Sequence, residues 1–480
     1  MKYAFSGLAL MLMTSPAFAE RPELEFRLGM DYLLLEQSAI TGLNGMSVFY
    51  KFEQGYYGGA SIYSAALGAG GGFFVGGWEV GKTTPITDTL FWDASIFIGG
   101  GGGASQVGGD GLMVRPQVHV GYDFGDYRVG AGASWVSVSG SDISTPSFAL
   151  TFTRPLNLEL VSGHSANEYA LIGATKVAAL TPIVRSYFPI NNQKRGGGDL
   201  ETMYLIGAEI SFANDGRSEV FIQATGVVAG DAEGYADWIL GKRYLWDMAP
   251  FEFFVDFGAG IGGGGAVNTG GGLIAMANAG VRIDVFSNLD LELGVGALTS
   301  LNGDFVALMP TLKASMPFGS GASRETNPDT VRWQISTGLT HLSISEDFRK
   351  PGAGSNDAPT MINADIDVFL LKNLYMTGQA YTAVAGNAGG FQIGMFGIGY
   401  QQPVTERVSL SGEILLGAAG GAGVDTRGGL LWGYKFELDY SLSDAVSLTL
   451  GAGHIETLQA GGMHPETLNI GLKFPFTTLH

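Results

Sequence analysis

Two patterns in this chain are of a kind that does chemistry. The stretch GGWEVGKT, Gly76 to Thr83, fits G-x-x-x-x-G-K-[ST], the loop whose backbone N–H groups and lysine hold a nucleotide's phosphates. That chemistry needs a strand before the loop and a helix beginning on the Lys-Thr pair, because the helix N-terminus supplies the fixed dipole. Here TPITDT follows, with a proline and turn formers, so no helix is expected. In a chain with 76 glycines, the match reads as chance. The second pattern is the set of six histidines, His119, His164, His341, His454, His464 and His480. Hydrolysis would need one of them held beside a serine or an acid. They are scattered, and their spacing fits no metal site. No enzymatic activity, cofactor or metal is expected.

The elements that would position such residues begin with the ends of the chain. MKYAFSGLALMLMTSPAFAE has a basic start, a short apolar core and an Ala17-Phe18-Ala19 cleavage site, the marks of a secretory signal peptide over residues 1–19. Cysteine is absent, so neither disulfides nor a lipid-modified cysteine is available. A net charge of −19 argues against nucleic acid as a partner. Charged residues are only 15% and mean hydropathy is +0.19, yet no apolar run after the signal reaches the length of about 18 residues that a membrane helix needs. An exported, half-apolar chain without apolar runs points to alternation.

Alternation is what the segments show. In LLWGYKFELDY, Leu430, Trp432, Tyr434, Phe436, Leu438 and Tyr440 share one face, and Leu431, Gly433, Lys435, Glu437 and Asp439 the other. Val118, Val120, Tyr122 and Phe124 oppose His119, Gly121 and Asp123, and Val281, Ile283 and Val285 oppose Arg282 and Asp284. A soluble sandwich would carry many lysines and glutamates outside. Here one face is oily and aromatic, and the other holds Gly, Ser, Thr and a few charges. Only a closed barrel satisfies the backbone of such strands in lipid.

The chain also repeats itself. FWDASIFIGGGGGASQVGGDG (91–111), FFVDFGAGIGGGGAVNTGGG (253–272) and LSGEILLGAAGGAGVDTRGG (410–429) each run a strand into a glycine-rich loop. GGWEVGKT aligns with ADWILGKR (236–243) and GMFGIGYQ (394–401), so Gly81, Gly241 and Gly399 correspond while the Lys-Thr pair occurs once. The units are 20–158, 159–320 and 321–480, each expected to hold about eight strands, some 24 in all.

At this point the chain resembles the Gram-negative outer-membrane β-barrel family. The signal, the alternating strands, the aromatic-flanked turns and the closing stretch LNIGLKFPF carry the resemblance. It implies an outer-membrane location, lipid bilayer and lipopolysaccharide as surroundings, and the barrel-assembly machinery as a partner in biogenesis. One departure is that Thr477-Thr478-Leu479-His480 follow the terminal aromatic.

Inward positions are repeatedly small: Gly130 and Gly132, Gly294 and Gly296, Gly451 and Gly453. In a narrow barrel they would leave voids, which cost stability. The leading expectation is therefore one all-β, up-and-down barrel of about 24 strands with a water-filled lumen. Three separate 8-stranded barrels are the alternative. The function expected is a channel or export conduit for an exported substrate or periplasmic partner. Its lumen would be lined by the bases Arg115, Arg128, Arg282 and Lys435, by His119, and by the acids Asp123, Glu252, Asp256, Asp284, Asp290, Glu292, Glu413, Glu437 and Asp439. The excess of acids predicts a modest cation preference. A structural or surface-binding protein is the alternative, with the loops at Gly99–Gly103, Gly262–Gly265 and Gly417–Gly423 meeting a partner or forming flexible tips. A hydrolase ranks below both.

Overall fold

The computed structural model describes residues 23–479 apart from 36–37, 106, 108, 163–175, 191–193, 214–216, 287–288, 318–329, 344–348 and 351–356. The signal peptide, His164 and His480 lie outside the described residues. Barrel 1 consists of β1 (Glu23–Leu33), β2 (Ile40–Lys51), β3 (Tyr56–Gly68), β4 (Phe74–Pro85), β5 (Leu90–Gly102), β6 (Leu112–Asp123), β7 (Arg128–Val138) and β8 (Ser144–Ser162). Barrel 2 consists of β9 (Lys176–Pro189), β10 (Met203–Ala213), β11 (Ser218–Ala229), β12 (Ala236–Met248), β13 (Phe251–Gly263), β14 (Leu273–Phe286), β15 (Leu289–Ser300) and β16 (Val306–Pro317). Barrel 3 consists of β17 (Thr330–Leu342), β18 (Thr360–Phe369), β19 (Leu374–Ala385), β20 (Gln392–Pro403), β21 (Val408–Gly420), β22 (Leu430–Ser441), β23 (Ser447–Thr457) and β24 (Glu466–Leu479). Each barrel is antiparallel and closes on itself, through β1–β8, β9–β16 and β17–β24.

The single 24-stranded barrel is thus not formed, and the alternative of three 8-stranded barrels is. The reason lies in the inward glycines. Gly130, Gly294 and Gly451 each lie under a side chain from the neighbouring strand, and Gly132, Gly296 and Gly453 lie against its backbone. A methyl group at Gly130 would stand 2.3 Å from the His119 ring, one at Gly294 2.7 Å from the Asn278 amide, and one at Gly451 2.0 Å from Asn469. The repeat-related glycines show the same device with aromatic rings. A methyl at Gly81 would meet Tyr57 at 2.4 Å, one at Gly241 would meet Phe221 at 2.2 Å, and one at Gly399 would meet Tyr375 at 2.2 Å. Small inward residues are what let a narrow barrel pack. GGWEVGKT lies wholly within β4, and no helix follows it.

Burial alternates as expected. Along β22, Lys435, Glu437 and Asp439 are buried, while Tyr434, Phe436, Leu438 and Tyr440 are exposed on the outer face. The short turns lie at the barrel end that holds the chain termini, the end expected to be periplasmic, and the glycine-rich loops lie at the opposite end. At the end that holds the chain termini, β8 runs past β7 and β24 runs past β23, which leaves an open edge on each tail. Their overhangs pair, Phe476 with Ser162, Thr477 with Val161 and Thr478 with Leu160. The residues beyond the terminal aromatic therefore have a place: they lie between β17 and the tail of β8. Two free edges, each a template for aggregation, cover one another.

Candidate functional site: barrel interiors and the chamber between them

The residues expected to line one wide lumen are divided among three closed interiors, most of them in ion pairs. In barrel 1, Arg115 Nη2 lies 2.9 Å from Asp31 Oδ1, and Arg128 pairs with Glu25. His119 Nδ1 lies 2.7 Å from Gln117 Nε2 and 3.7 Å from Asp93 Oδ1. In barrel 2, Arg243 is the hub: Asp256 at 2.8 Å, Glu209 at 3.0 Å, and Glu219 and Glu292 at 3.3 Å. Arg282 spans Glu252 and Glu292, each at 2.9 Å. In barrel 3, Lys435 Nζ lies 3.0 Å from Asp365 and Glu437 and 3.3 Å from Glu413. Lys473 Nζ reaches Glu437 at 2.9 Å and Asp439 at 3.1 Å. Asp123, Asp284 and Asp290 stand instead at the periplasmic turns; Asp123 Oδ1 accepts the Gly125 N–H at 2.7 Å, and Asp284 faces Asp290 across β14–β15.

These networks explain why the charges are tolerated. A buried ion is costly unless paired and hydrogen-bonded, and almost every member here has several partners. They also fill the interiors. The hub Arg243 is fully buried, as are Arg115 and Arg185. The sequence reading had missed Arg27, Asp31, Glu79, Asp93, Arg243 and Lys473. The signal for some was present: Glu25, Arg27 and Asp31 alternate with Leu24, Phe26 and Met30 on β1.

With the interiors filled, the large cavity lies between the barrels. It measures about 1600 Å³, and all three barrels contribute to its lining. The repeat makes its wall nearly threefold. Trp78 on β4, Trp238 on β12 and Phe396 on β20 hold corresponding positions, and Ala60, Ala224 and Gly378 correspond on β3, β11 and β19; all line the chamber. Elsewhere the outward faces carry Leu, Phe and Tyr. Small outward residues at corresponding positions of these strands are the sign of the chamber that the sequence carries.

Glycine seams join the barrels at the extracellular end. Gly72 abuts Gly263 and Gly264, Gly234 abuts Gly420 and Gly421, and Gly390 abuts Gly102 and Gly103. The order is cyclic. The β5–β6 loop meets the β19–β20 loop, the β21–β22 loop meets the β11–β12 loop, and the β13–β14 loop meets the β3–β4 loop. Gly72, with φ of 94°, shows why glycine is required: besides its left-handed backbone, an added methyl would stand 2.3 Å from Gly264 N. The loops expected to be free tips or a partner's docking surface are therefore packed on one another. Polar contacts pin each seam. Gly71 N donates to Gly270 O at 2.7 Å, Gly389 N donates to Gly109 O at 2.7 Å, and Glu233 accepts from Thr426 Oγ1 at 2.6 Å and Lys350 Nζ at 2.8 Å. Burial pushes the Glu233 carboxyl up, but the hydrogen bonds from Lys350, Thr426 and Gly428 and the Lys350 charge hold it below the usual carboxylate range.

The periplasmic end is less symmetric. Barrel 3 is tied to barrel 1 by the β8–β24 pairing, and to barrel 2 by Trp333, Val368 and Phe476 packing on Leu180, Ile210 and Phe212. Among the described residues, no strand pairing or buried apolar cluster joins barrels 1 and 2 there.

Closed antiparallel barrels with oily exteriors and charged, filled interiors define a multi-barrel, all-β protein. No protein-family model matches the sequence, and no curated protein does. Among solved structures, the outer membrane protein opdK from Pseudomonas aeruginosa aligns at 10% identity over 95% of this chain and 98% of that one, with a TM-score of 0.24. OccK5 (OpdH) from the same organism aligns at 8% identity over 95% and 98%, with a TM-score of 0.25. The siderophore receptor PirA from Acinetobacter baumannii aligns at 10% over 96% and 81%, at 0.30. Values this low carry no argument about activity.

Proposed function

We propose that the chain is an outer-membrane β-barrel protein of the channel class whose passage is the chamber enclosed by the three barrels. The observation that carries this reading is the contrast between an open apolar space of about 1600 Å³ and barrel interiors packed with side chains. Three 8-stranded barrels have no room for a water-filled pore. The cargo is apolar or amphipathic, as the wall of Trp78, Trp238, Phe396 and small aliphatic residues requires. Its surroundings are the bilayer and lipopolysaccharide, reached by signal-directed export and the barrel-assembly machinery, and no catalytic step is involved. The modest cation preference belongs to any ionic leak along the acid-rich interiors.

Uptake of the hydrophobic fluorophore N-phenyl-1-naphthylamine by intact Gram-negative cells tests this. Expression of the protein raises uptake, and the chamber-filling pair Gly378→Trp and Gly394→Trp returns it to the vector level. Equal uptake with open and filled chambers would end the reading.

A further inference from the structure

The chamber's occupant can be specified further, on the reading that the chamber is the functional site. We infer that it takes a phospholipid from the periplasmic leaflet, admitted between barrels 1 and 2, with its acyl chains along the wall and its phosphate on Arg154.

Two observations support this. The first is the gap in the ring. At the periplasmic end barrel 3 is fastened to both neighbours, while among the described residues barrels 1 and 2 are joined at the extracellular end, by Arg195 Nη2 to Gly71 O at 2.7 Å and Asn302 Nδ2 to Ala66 O at 3.1 Å. An apolar space flanked by membrane strands meets acyl chains, not water.

The second is a charge at the right height. Arg154 on β8 pairs in register with Phe26, three residues inside the first strand, so it stands near the periplasmic boundary. It lines the chamber and is exposed, and no hydrogen bond or ion pair engages it among the described residues. Most of the bases that face the barrel interiors, Arg115, Arg243 and Lys435 among them, have acidic partners. A lone guanidinium at the mouth of an oily cavity is suited to a phosphate with chains attached, which its planar fork binds through two donors.

The test uses the intact protein, purified in mild detergent, incubated with phosphatidylglycerol mixed micelles and washed free. Bound phosphorus and mass spectrometry of the extracted lipid are the readouts. Gly378→Leu with Gly394→Leu fills the chamber, and because a methyl at either position meets nothing within 4 Å, barrel 3 retains its packing. Arg154→Gln removes the charge alone. Folding of each variant is checked by the heat-induced gel shift. The wild type retains phospholipid, the filled variant loses it, and Arg154→Gln weakens retention by about tenfold, as expected for one charge-assisted contact. Three results would overturn the inference: no retained lipid in the folded wild type, equal retention in the filled variant, or lipopolysaccharide in place of phospholipid. If the fluorophore still passes through an open chamber that retains no phospholipid, this inference fails alone. If the fluorophore ignores filling, the passage itself is disproved.

Discussion

At the scale of single residues, two devices hold each barrel. One is the inward glycine under a neighbour's ring. Gly241→Ala would drive a methyl into Phe221, whose ring also lies 5.5 Å from the Arg243 guanidinium, so the ring cannot swing freely. We expect a loss of about 1–3 kcal/mol from overpacking, measured by urea unfolding in lipid or detergent. The other device is the buried charge hub. Arg243→Met would leave Glu209, Asp256 and Glu292 buried around an apolar side chain, with Lys313 and Arg282 compensating only in part. The expected cost is about 3–5 kcal/mol, the range for breaking a buried pair from one side. A variant as stable as the wild type would show that the hub contributes no net stability.

At the scale of elements, loops and strand tails hold barrel to barrel. Glu233 in the β11–β12 loop fastens barrel 2 to barrel 3 through Lys350, Thr426 and Gly428. Its folded-state proton affinity is depressed, so its contribution is complete above the ordinary carboxylate range and is lost as pH falls through the lower folded-state value. Spin-label distances between the β11–β12 and β21–β22 loops should broaden on acidification in the wild type. In Glu233→Gln they should be insensitive to that change, and an identical acid response in both would refute the assignment. Strand tails give a second test. Ending the chain at Phe476 removes Thr477 and Thr478, two of the three pairs that join β24 to β8. Barrel 3 should still close, because β17–β24 pairing continues from Thr467 to Phe476, while labels on β8 and β24 move apart at the periplasmic end.

The strands themselves were legible, because a period of two between oily and polar residues is written into each and the repeat checks every assignment against two others. Closure was not. Glycine at an inward position has two physical meanings, an empty lumen or a seat for a neighbour's side chain, and the choice depends on registers such as Gly399 against Tyr375 that no single strand reveals. The chamber was harder still, since an alanine or glycine on the outer face of one strand acquires its meaning only when three barrels bring Ala60, Ala224 and Gly378 around a common space.

At the scale of the whole molecule, the expected electrical behaviour differs from that of one wide pore. Reconstituted in a planar bilayer, the protein should show no large, stable conductance step, because each interior is closed by side chains and the shared chamber is oily. A step of the size given by a broad water-filled lumen would show that the barrels have merged or opened.

The cyclic order of the glycine seams carries one more consequence, for stoichiometry. Each repeat presents a donor loop on one flank and an acceptor loop on the other, so contacts of this head-to-tail kind close at three copies because of the angle between neighbours. The polypeptide behaves as a trimer whose subunits are tethered by linkers. A gene cut down to two repeats would leave one donor and one acceptor unmatched, and its product should join other chains, whereas separately expressed repeats should reassemble in threes.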